Sequence, residues 1–146
     1  MFLGPNAPIG HGSVLPIVEH AAKYMIRMIH KCQVERLKSV AVHPEAAEDF
    51  TKFTDEYMKL TAWSSHCRSW FKNGEVDGPI VALHPGSRIH WFHMLDQPKF
   101  EDYNWTSMDS NKFMYLGNGF STREEKGRDT TYYFDHPDEG YENIKY

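Results

Sequence analysis

Apolar residues recur at helical spacing near the start of the chain and predict its longest element. They lie three or four positions apart for about five turns: Val14, Val18, Ala22 (with Ala21), Met25, Ile29 and Cys32. Four more apolar residues widen this stripe and indicate burial on more than one face: Leu15, Ile17, Ile26 and Met28. Ser13 is a favourable N-cap for such a helix. The pattern predicts a helix over residues 14–35.

Two elements are predicted after this helix. Residues 38–42 have the composition of a short strand. Pro44 then opens a second helix, whose first turns carry acidic residues and whose end lies near residues 59–61. Its aromatic residues fall on one face at helical spacing: Phe50, Phe53 and Tyr57.

The second half of the chain is less regular and rich in turn residues. Residues 80–84 predict a strand, which a Pro-Gly-Ser turn closes. Residues 88–95 fit either a strand or a short helix, because their periodicity does not separate the two. Residues 113–120 predict a strand that enters a turn. The charged, weakly patterned residues after 121 predict a loosely attached tail.

Composition limits the class of protein. The chain has 146 residues, enough for one domain, and 40% of them are apolar. Aromatic residues reach 14%, so any core is expected to be rich in aromatic rings. The net charge is −4 with both signs interspersed, which argues against a surface for nucleic acid.

Cysteine usage and hydropathy point to the cytoplasm. Cys32 and Cys67 are too few for a disulfide scaffold and fit a reducing compartment. No apolar run approaches the ~20 residues of a membrane span, and we expect neither a span nor a signal peptide. A strand end at residues 2–3 is too short to form a sheet by itself. We therefore expect the chain to be the end of a larger protein.

The loop before the first helix is the strongest candidate site. Gly10 and Gly12 allow close approach to the backbone, and Ser13 follows at the helix start. Free N–H groups and the helix dipole favour an anion, a phosphate or the pyrimidine edge of a flavin there. A plain serine-capped helix after a glycine-rich turn explains the same residues. Ser13 lacks the second glycine of a nucleophile elbow, so we assign it to capping rather than catalysis.

Two further groups of residues have side chains suited to binding. His66, Cys67, His90 and His93 have ligand types suited to zinc, but their spacing is poor and no C-x-x-C occurs. Packed or surface histidines explain them, and we predict no metal site. A second set could clamp a phosphorylated cofactor or form an aromatic core flanked by surface arginine: Arg68, Trp70 and Arg88.

Several segments in succession resemble the C-terminal part of fungal flavin-dependent monooxygenases of the Baeyer–Villiger type, over most of residues 2–120. The matching stretches are Phe2–Asn6, Gly10–Val14, Cys67–Phe71 and Leu83–Ser87. The resemblance implies that the backbone at Gly12, Ser13 and Val14 lies near flavin N1 and O2. It also implies that Trp70 belongs to a mobile segment over NADP, assisted by Arg68.

The chain also departs from the pattern of that family. It contains neither of the two G-x-G-x-x-G units that such enzymes use for FAD and NADP, and their active-site arginine has no counterpart. We therefore assign no catalytic residue to this chain and expect it alone to be inactive and to bind FAD poorly. FAD and NADP are expected only in the full-length parent, which supplies the missing N-terminal dinucleotide-binding domains.

The resemblance implies an α/β fold class, the C-terminal portion of a flavoprotein with two dinucleotide-binding domains, and α+β if taken alone. Residues 1–36 would form the end of the FAD-binding domain. Residues 37–120 would form an α+β region with an NADP-lid-like segment, and residues 121–146 would form an acidic, loosely ordered tail. The parent would use NADPH and O2 to insert one oxygen atom into a ketone-like organic substrate, in fungal secondary metabolism. We also expect the exposed stripe of the first helix to make the isolated chain aggregate.

An alternative from another class is a small non-catalytic α+β binding or regulatory protein derived from such an enzyme. It would need a core of its own, formed by Phe50, Phe53, Tyr57, Trp63, Trp70, Trp91 and Phe92.

Overall fold

A computed structural model describes residues 2–8 and 10–135 as an α+β arrangement. Its helices are α1 (Val14–Val34), α2 (Pro44–Met58), α3 (Arg88–Asp96), α4 (Thr122–Glu125) and α5 (Tyr132–Asp135). Its strands are β1 (Leu37–Val42) and β2 (Tyr103–Ser107). Short 3-10 turns cover Ala62–Ser64, Trp70–Lys72, Phe100–Asp102 and Met114–Leu116. No helix among the described residues has the length and apolar character needed to cross a membrane.

The two strands pair in one antiparallel sheet. Hydrogen bonds at its two ends show the direction, because His43 N–H donates to Asp102 O at 2.8 Å and Met108 N–H donates to Arg36 O at 2.9 Å. β1 was predicted from the sequence, whereas β2 was not. Half-buried and exposed residues alternate along β2, as expected for a strand with one covered face.

The three elements with the clearest patterns are confirmed. α1, β1 and α2 form within one or two residues of their predicted bounds. The ambiguous segment 88–95 is helical, and its N-cap explains why. The Ser87 hydroxyl accepts a hydrogen bond from His90 N–H at 3.1 Å, which satisfies a donor in the first turn.

Two predicted strands are wrong. Residues 80–84 contribute only an isolated parallel bridge between Ala7 and Leu83, which the Asn6 amide supports by donating to Leu83 O at 3.1 Å. Residues 113–120 contain a 3-10 turn instead of a strand. Gly117 and Gly119 there have φ values of +64° and +82°, which break an extended conformation.

The predicted tail is partly helical. α4 begins with a capping box, in which the Ser121 hydroxyl accepts from Glu124 N–H and the Glu124 carboxylate accepts from Ser121 N–H. α5 follows. The remainder of the tail, 136–146, lies outside the described residues, and its loose attachment stays a prediction.

The chain divides into two compact units. Among the described residues, unit 1 contains 2–8, 10–26 and 41–104, and unit 2 contains 27–40 and 105–135. The three-part division predicted from the sequence, at residues 36 and 120, stays a prediction.

Unit 1 holds two small hydrophobic clusters. One joins α1 to α3 through Ile17, Ala21 and Trp91, with Leu3, Met25, Phe92 and Leu95 around them. The other joins the end of α2 to the extended residues 80–83 through Met58, Ile80 and Leu83, with Trp63 and Phe71 against them. These clusters hold the first half of α1 against α3, and the 3-10 turns at Trp63 and Phe71 against the end of α2.

The buried face of α1 lies at one edge of the predicted stripe, about one residue or roughly 100° from its centre. Ile17, Ala21 and Met28 are buried, whereas Val14 and Ile29 of the predicted stripe are 48% and 56% exposed. The core expected for the alternative binding protein is also partly wrong. Four of its seven residues are exposed: Phe50, Phe53, Tyr57 and Trp70.

Candidate functional site

The glycine-rich loop leads directly into the N-terminus of α1. Residues 10–15 are all exposed, and the first turn of the helix carries no acidic side chain. The Ser13 hydroxyl accepts a long hydrogen bond from Leu15 N–H at 3.4 Å, which supports its assignment as a cap. A 21-residue helix with free N–H groups at an open end attracts negative charge there.

Arg88, the first residue of α3, reaches this loop. Gly12 has φ +77°, and a Cβ built on it would lie 1.9 Å from Arg88 Nη1. The guanidinium carbon lies 6.0 Å from the centre of the Phe92 ring. Arg88 Nε is buried and has no hydrogen-bond partner among the described atoms. A guanidinium and a helix N-terminus therefore favour an anion at the same glycine.

An aromatic ring backs the other end of the loop. A Cβ on Gly10 would lie 2.8 Å from Cζ2 of Trp63. The Trp63 ring is held by an edge-on contact with Phe71, at 5.3 Å between ring centres. A side chain at Gly10 would therefore press on the Trp63 ring, and one at Gly12 would displace the Arg88 guanidinium.

The other predicted cofactor residues lie in the segment around the turn Trp70–Lys72. Trp70 is 65% exposed, and its ring contacts Phe71 edge-on at 5.9 Å. Arg68 Nε donates to Gly74 O at 2.7 Å, so this side chain is engaged within its own segment. Among the described residues, no hydrogen bond or ring contact joins Arg68 or Trp70 to the loop at Gly12. The suggestion that Arg68, Trp70 and Arg88 clamp a phosphorylated cofactor stays a prediction.

Lys72 in the same segment was not predicted to matter. Its side chain is 1% exposed, and its Nζ donates to the backbone carbonyl oxygens of Ser65, Cys67 and Val76. Nothing in its sequence neighbourhood distinguishes it from an ordinary surface lysine.

A histidine pair stands at the start of α3. His84 is 4% exposed, and its Nε2 lies 3.1 Å from Nδ1 of His90 in a shared hydrogen bond. Burial, and secondarily the neighbouring His90, lowers the pKa of His84 to about 4. A Cβ on Gly86 would lie 2.7 Å from His90 Nδ1 and 2.8 Å from His84 Nε2. Gly86 therefore allows the two rings to meet, and His84 is neutral at pH 7.

The residues of the zinc hypothesis do not form a cluster. His66 contacts Asp77 at 2.9 Å on the surface, while His90 faces His84. Within residues 2–8 and 10–135, no group of three or more His, Cys, Asp or Glu side chains could hold a metal ion. Cys32 and Cys67 are both free thiols.

Unit 1 also contains an open groove of about 600 Å³ between the start of α2 and the end of α3. Its lining is mainly apolar and includes Phe50, Met94 and Pro98. The hydroxyls of Tyr24 and Tyr103 share a hydrogen bond at one wall. Burial and this hydrogen bond raise the pKa of Tyr24, which stays protonated at neutral pH.

The sequence is similar to several curated fungal proteins. It is 36% identical over 138 residues to a probable FAD-binding monooxygenase, ltbD, of Aspergillus luteorubrus. It is 38% identical over 136 residues to the FAD-binding monooxygenase tazF of Aspergillus terreus. These alignments cover 94% and 91% of this chain but 28% and 24% of the relatives. The chain therefore spans about a quarter of the length of these proteins.

More distant similarity extends to bacteria. A Baeyer–Villiger monooxygenase of Pseudomonas aeruginosa is 26% identical over 85 residues, which are 58% of this chain and 16% of that protein. No protein-family model matches the chain, and no solved structure is significantly similar to it. The alignments over nine tenths of the chain confirm the resemblance seen in its glycine-rich loop and its Ser-Trp-Phe segment. Nine tenths of the chain therefore corresponds to a segment of fungal FAD-binding monooxygenases that makes up about a quarter of such a protein.

Proposed function

We propose that this chain is the C-terminal part of an FAD- and NADPH-dependent monooxygenase that inserts one oxygen atom from O2 into a ketone-like organic substrate. The observation that carries the proposal is the alignment of nine tenths of the chain with FAD-binding monooxygenases. In this proposal the parent has the flavoprotein fold with two dinucleotide-binding domains and acts in the cytoplasm. FAD, when bound, supplies the redox chemistry with O2.

The α1 N-terminus fits an electron-rich ring edge. Backbone N–H groups at Gly12, Ser13 and Val14 would face the pyrimidine side of the flavin, where negative charge develops on reduction. The Arg88 guanidinium beside Gly12 reinforces the positive potential. Because Gly10 and Gly12 lack side chains, a planar group can approach the backbone closely.

Trp70 and Arg68 would serve NADP. The exposed indole of Trp70 offers a flat face and one N–H donor. Arg68 Nε is engaged by Gly74 O, which leaves the terminal nitrogens of the guanidinium for a phosphate. The phosphate-binding glycines and the active-site arginine would come from the other three quarters of the parent, so the isolated chain is inactive.

A chimera tests this proposal. The region of the Aspergillus terreus relative that aligns with this chain is replaced by residues 1–146, and the purified protein is assayed for flavin content and NADPH oxidation. We expect FAD at nearly one per chain and substrate-dependent NADPH oxidation.

In the chimera, Gly12→Ala should lower the flavin content, whereas Trp70→Ala should raise KM for NADPH and leave the flavin content unchanged. Gly119→Ala, with a similar φ but open space around it, is the control. A folded chimera without flavin would refute the proposal.

A second candidate is a non-catalytic binding protein, which the groove between α2 and α3 favours. Its volume lies within the usual range for small-molecule sites. The isolated chain, screened against apolar small molecules by ligand-detected NMR, would bind one of them through Phe50 in this case. Binding that survives Phe50→Ser would count against the groove.

A further inference from the structure

Lys72 is a charged side chain inside the protein. Only 1% of it is exposed, and its Nζ donates to Val76 O at 3.0 Å, to Cys67 O at 3.4 Å and to Ser65 O. An ammonium has three N–H donors, and each has an acceptor here. A buried charge is costly unless it is hydrogen-bonded, and such charge-assisted bonds are the stronger ones.

The three acceptors come from both sides of one turn. Ser65 and Cys67 precede the turn Trp70–Lys72, and Val76 follows it. Among the described residues, Lys72 forms no ion pair with a carboxylate. Its charge is therefore held by backbone dipoles, and it binds the two arms of the segment to each other.

Other contacts complete the same segment. Gly74 N–H donates to Ser69 O at 3.0 Å, and Val81 N–H donates to Phe71 O at 3.2 Å. A Cβ on Gly78 would lie 2.6 Å from Lys72 O, so the chain passes Lys72 too closely there for a larger residue. The backbone of Trp70 is thus enclosed in a braced turn, while its ring is exposed.

We propose that Lys72 is a positioning residue for Trp70. Its ammonium holds residues 65–76 together as one unit and so sets the orientation of the indole within that segment. The role in cofactor binding rests on the proposed function, in which Trp70 contacts NADP. The positioning itself is a property of this chain and is tested without cofactor.

The test uses the full chain labelled with 5-fluorotryptophan. Its 19F spectrum contains signals from Trp63, Trp70, Trp91 and Trp105, and Trp70→Phe assigns the signal of interest. We expect Lys72→Met to shift or broaden the Trp70 signal and to leave the Trp91 and Trp105 signals in place. Lys72→Arg, which keeps a cation and several donors, should return the Trp70 signal toward its original position. Lys59→Met, which removes an exposed lysine, is the control.

Hydrogen exchange gives a second readout. Backbone amides of residues 67–76 should exchange about tenfold faster in Lys72→Met than in the unmodified chain, while those of α1 stay unchanged. If Lys72→Met does not fold, Lys72→Gln, which retains two N–H donors, is measured in the same way. An unchanged Trp70 signal, or equal changes in all four signals, would overturn the proposal.

The chimera separates the two proposals. If Lys72 positions Trp70 and the proposed function holds, Lys72→Met raises KM for NADPH with little change in kcat. If the Trp70 signal moves but neither Lys72→Met nor Trp70→Ala changes that KM, the positioning stands and the role of Trp70 in NADP binding fails.

Discussion

The guanidinium of Arg88 lies directly against the backbone of Gly12, although the two residues belong to opposite ends of unit 1 in sequence. A single added carbon at Gly12 would lie 1.9 Å from Arg88 Nη1, and the φ of +77° already disfavours any other residue. The positive φ therefore disfavours any residue but glycine where α1 begins, and a side chain there would also push the end of the Arg88 side chain aside. The arrangement also places a positive charge beside the open end of that helix.

Replacing Gly12 with alanine tests these constraints together. A non-glycine residue at this φ costs about 1–2 kcal/mol, and the displaced Arg88 adds to that cost. We expect Gly12→Ala to lower the free energy of unfolding by more than this amount in urea denaturation. Gly119→Ala has a similar φ of +82° but no atom within 4 Å, so it isolates the conformational part. Equal losses in the two variants would show that Arg88 does not restrict the loop.

Two truncations on α1 test which of its faces is buried. Ile17 is fully buried against Ala21 and Trp91, so Ile17→Ala should cost about 2–5 kcal/mol. Ile29 lies in the predicted stripe but is 56% exposed, and Ile29→Ala should change stability by less than about 1 kcal/mol. Thermal and chemical unfolding of both variants measure the difference. If Ile29→Ala destabilised the chain more than Ile17→Ala, the buried face would be centred on the predicted stripe instead.

His84 makes stability depend on pH. Its pKa is about 4 in the folded chain and 6.5 as the unperturbed value, so below pH 6.5 the unfolded chain binds a proton that the folded chain does not. The contribution of His84 to the free energy of unfolding is therefore highest above pH 6.5. It falls by on the order of 3 kcal/mol as the pH drops toward 4. Urea unfolding between pH 7 and 4.5 measures it.

The matched variants are His84→Gln and His66→Gln. The first should flatten the loss of stability between pH 6.5 and 4.5, because the buried imidazole is gone. The second removes an exposed histidine paired with Asp77 and is the control for the loss of an imidazole as such. Identical slopes in all three proteins would exclude His84 as the source.

The aromatic face of α2 should govern self-association of the isolated chain. The ring centre of Phe53 lies 6.3 Å from that of Phe50 and 4.7 Å from that of Tyr57. All three side chains are exposed. We expect Phe53→Ser to lower light scattering at high protein concentration and to change stability by no more than about 1 kcal/mol. Lys52→Ser, on the same helix, should leave the scattering unchanged. Aggregation that persists in Phe53→Ser would point to another surface.

The elements that the sequence predicts well are those with long periodic patterns. α1 and α2 extend over several turns, so their spacing of apolar residues is clear. β2 was missed, although its alternating Tyr103, Trp105 and Ser107 form a period-two pattern within a turn-rich region. The false strand at 113–120 shows the opposite error, because apolar residues there precede glycines that adopt positive φ.

The candidate site was only partly predictable. A glycine-rich loop before a capped helix is visible in the sequence, but its contact with Arg88 depends on how α3 packs on α1 through Trp91. The burial of Lys72 depends on three carbonyl groups whose positions follow from the fold of the turn. Neither relationship has a local pattern, because each joins residues that only tertiary packing brings together.

Residues 110–122 are all exposed, and this exposure determines where a protease cleaves the chain first. Trypsin cleaves after lysine and arginine where the backbone is accessible, so Lys112 should be cut early and the buried Lys72 late. Mass spectrometry over a digestion series would then show a persistent product that ends at Lys112. That product would retain both hydrophobic clusters of unit 1, so a protease would trim the chain to its most resistant part before destroying it.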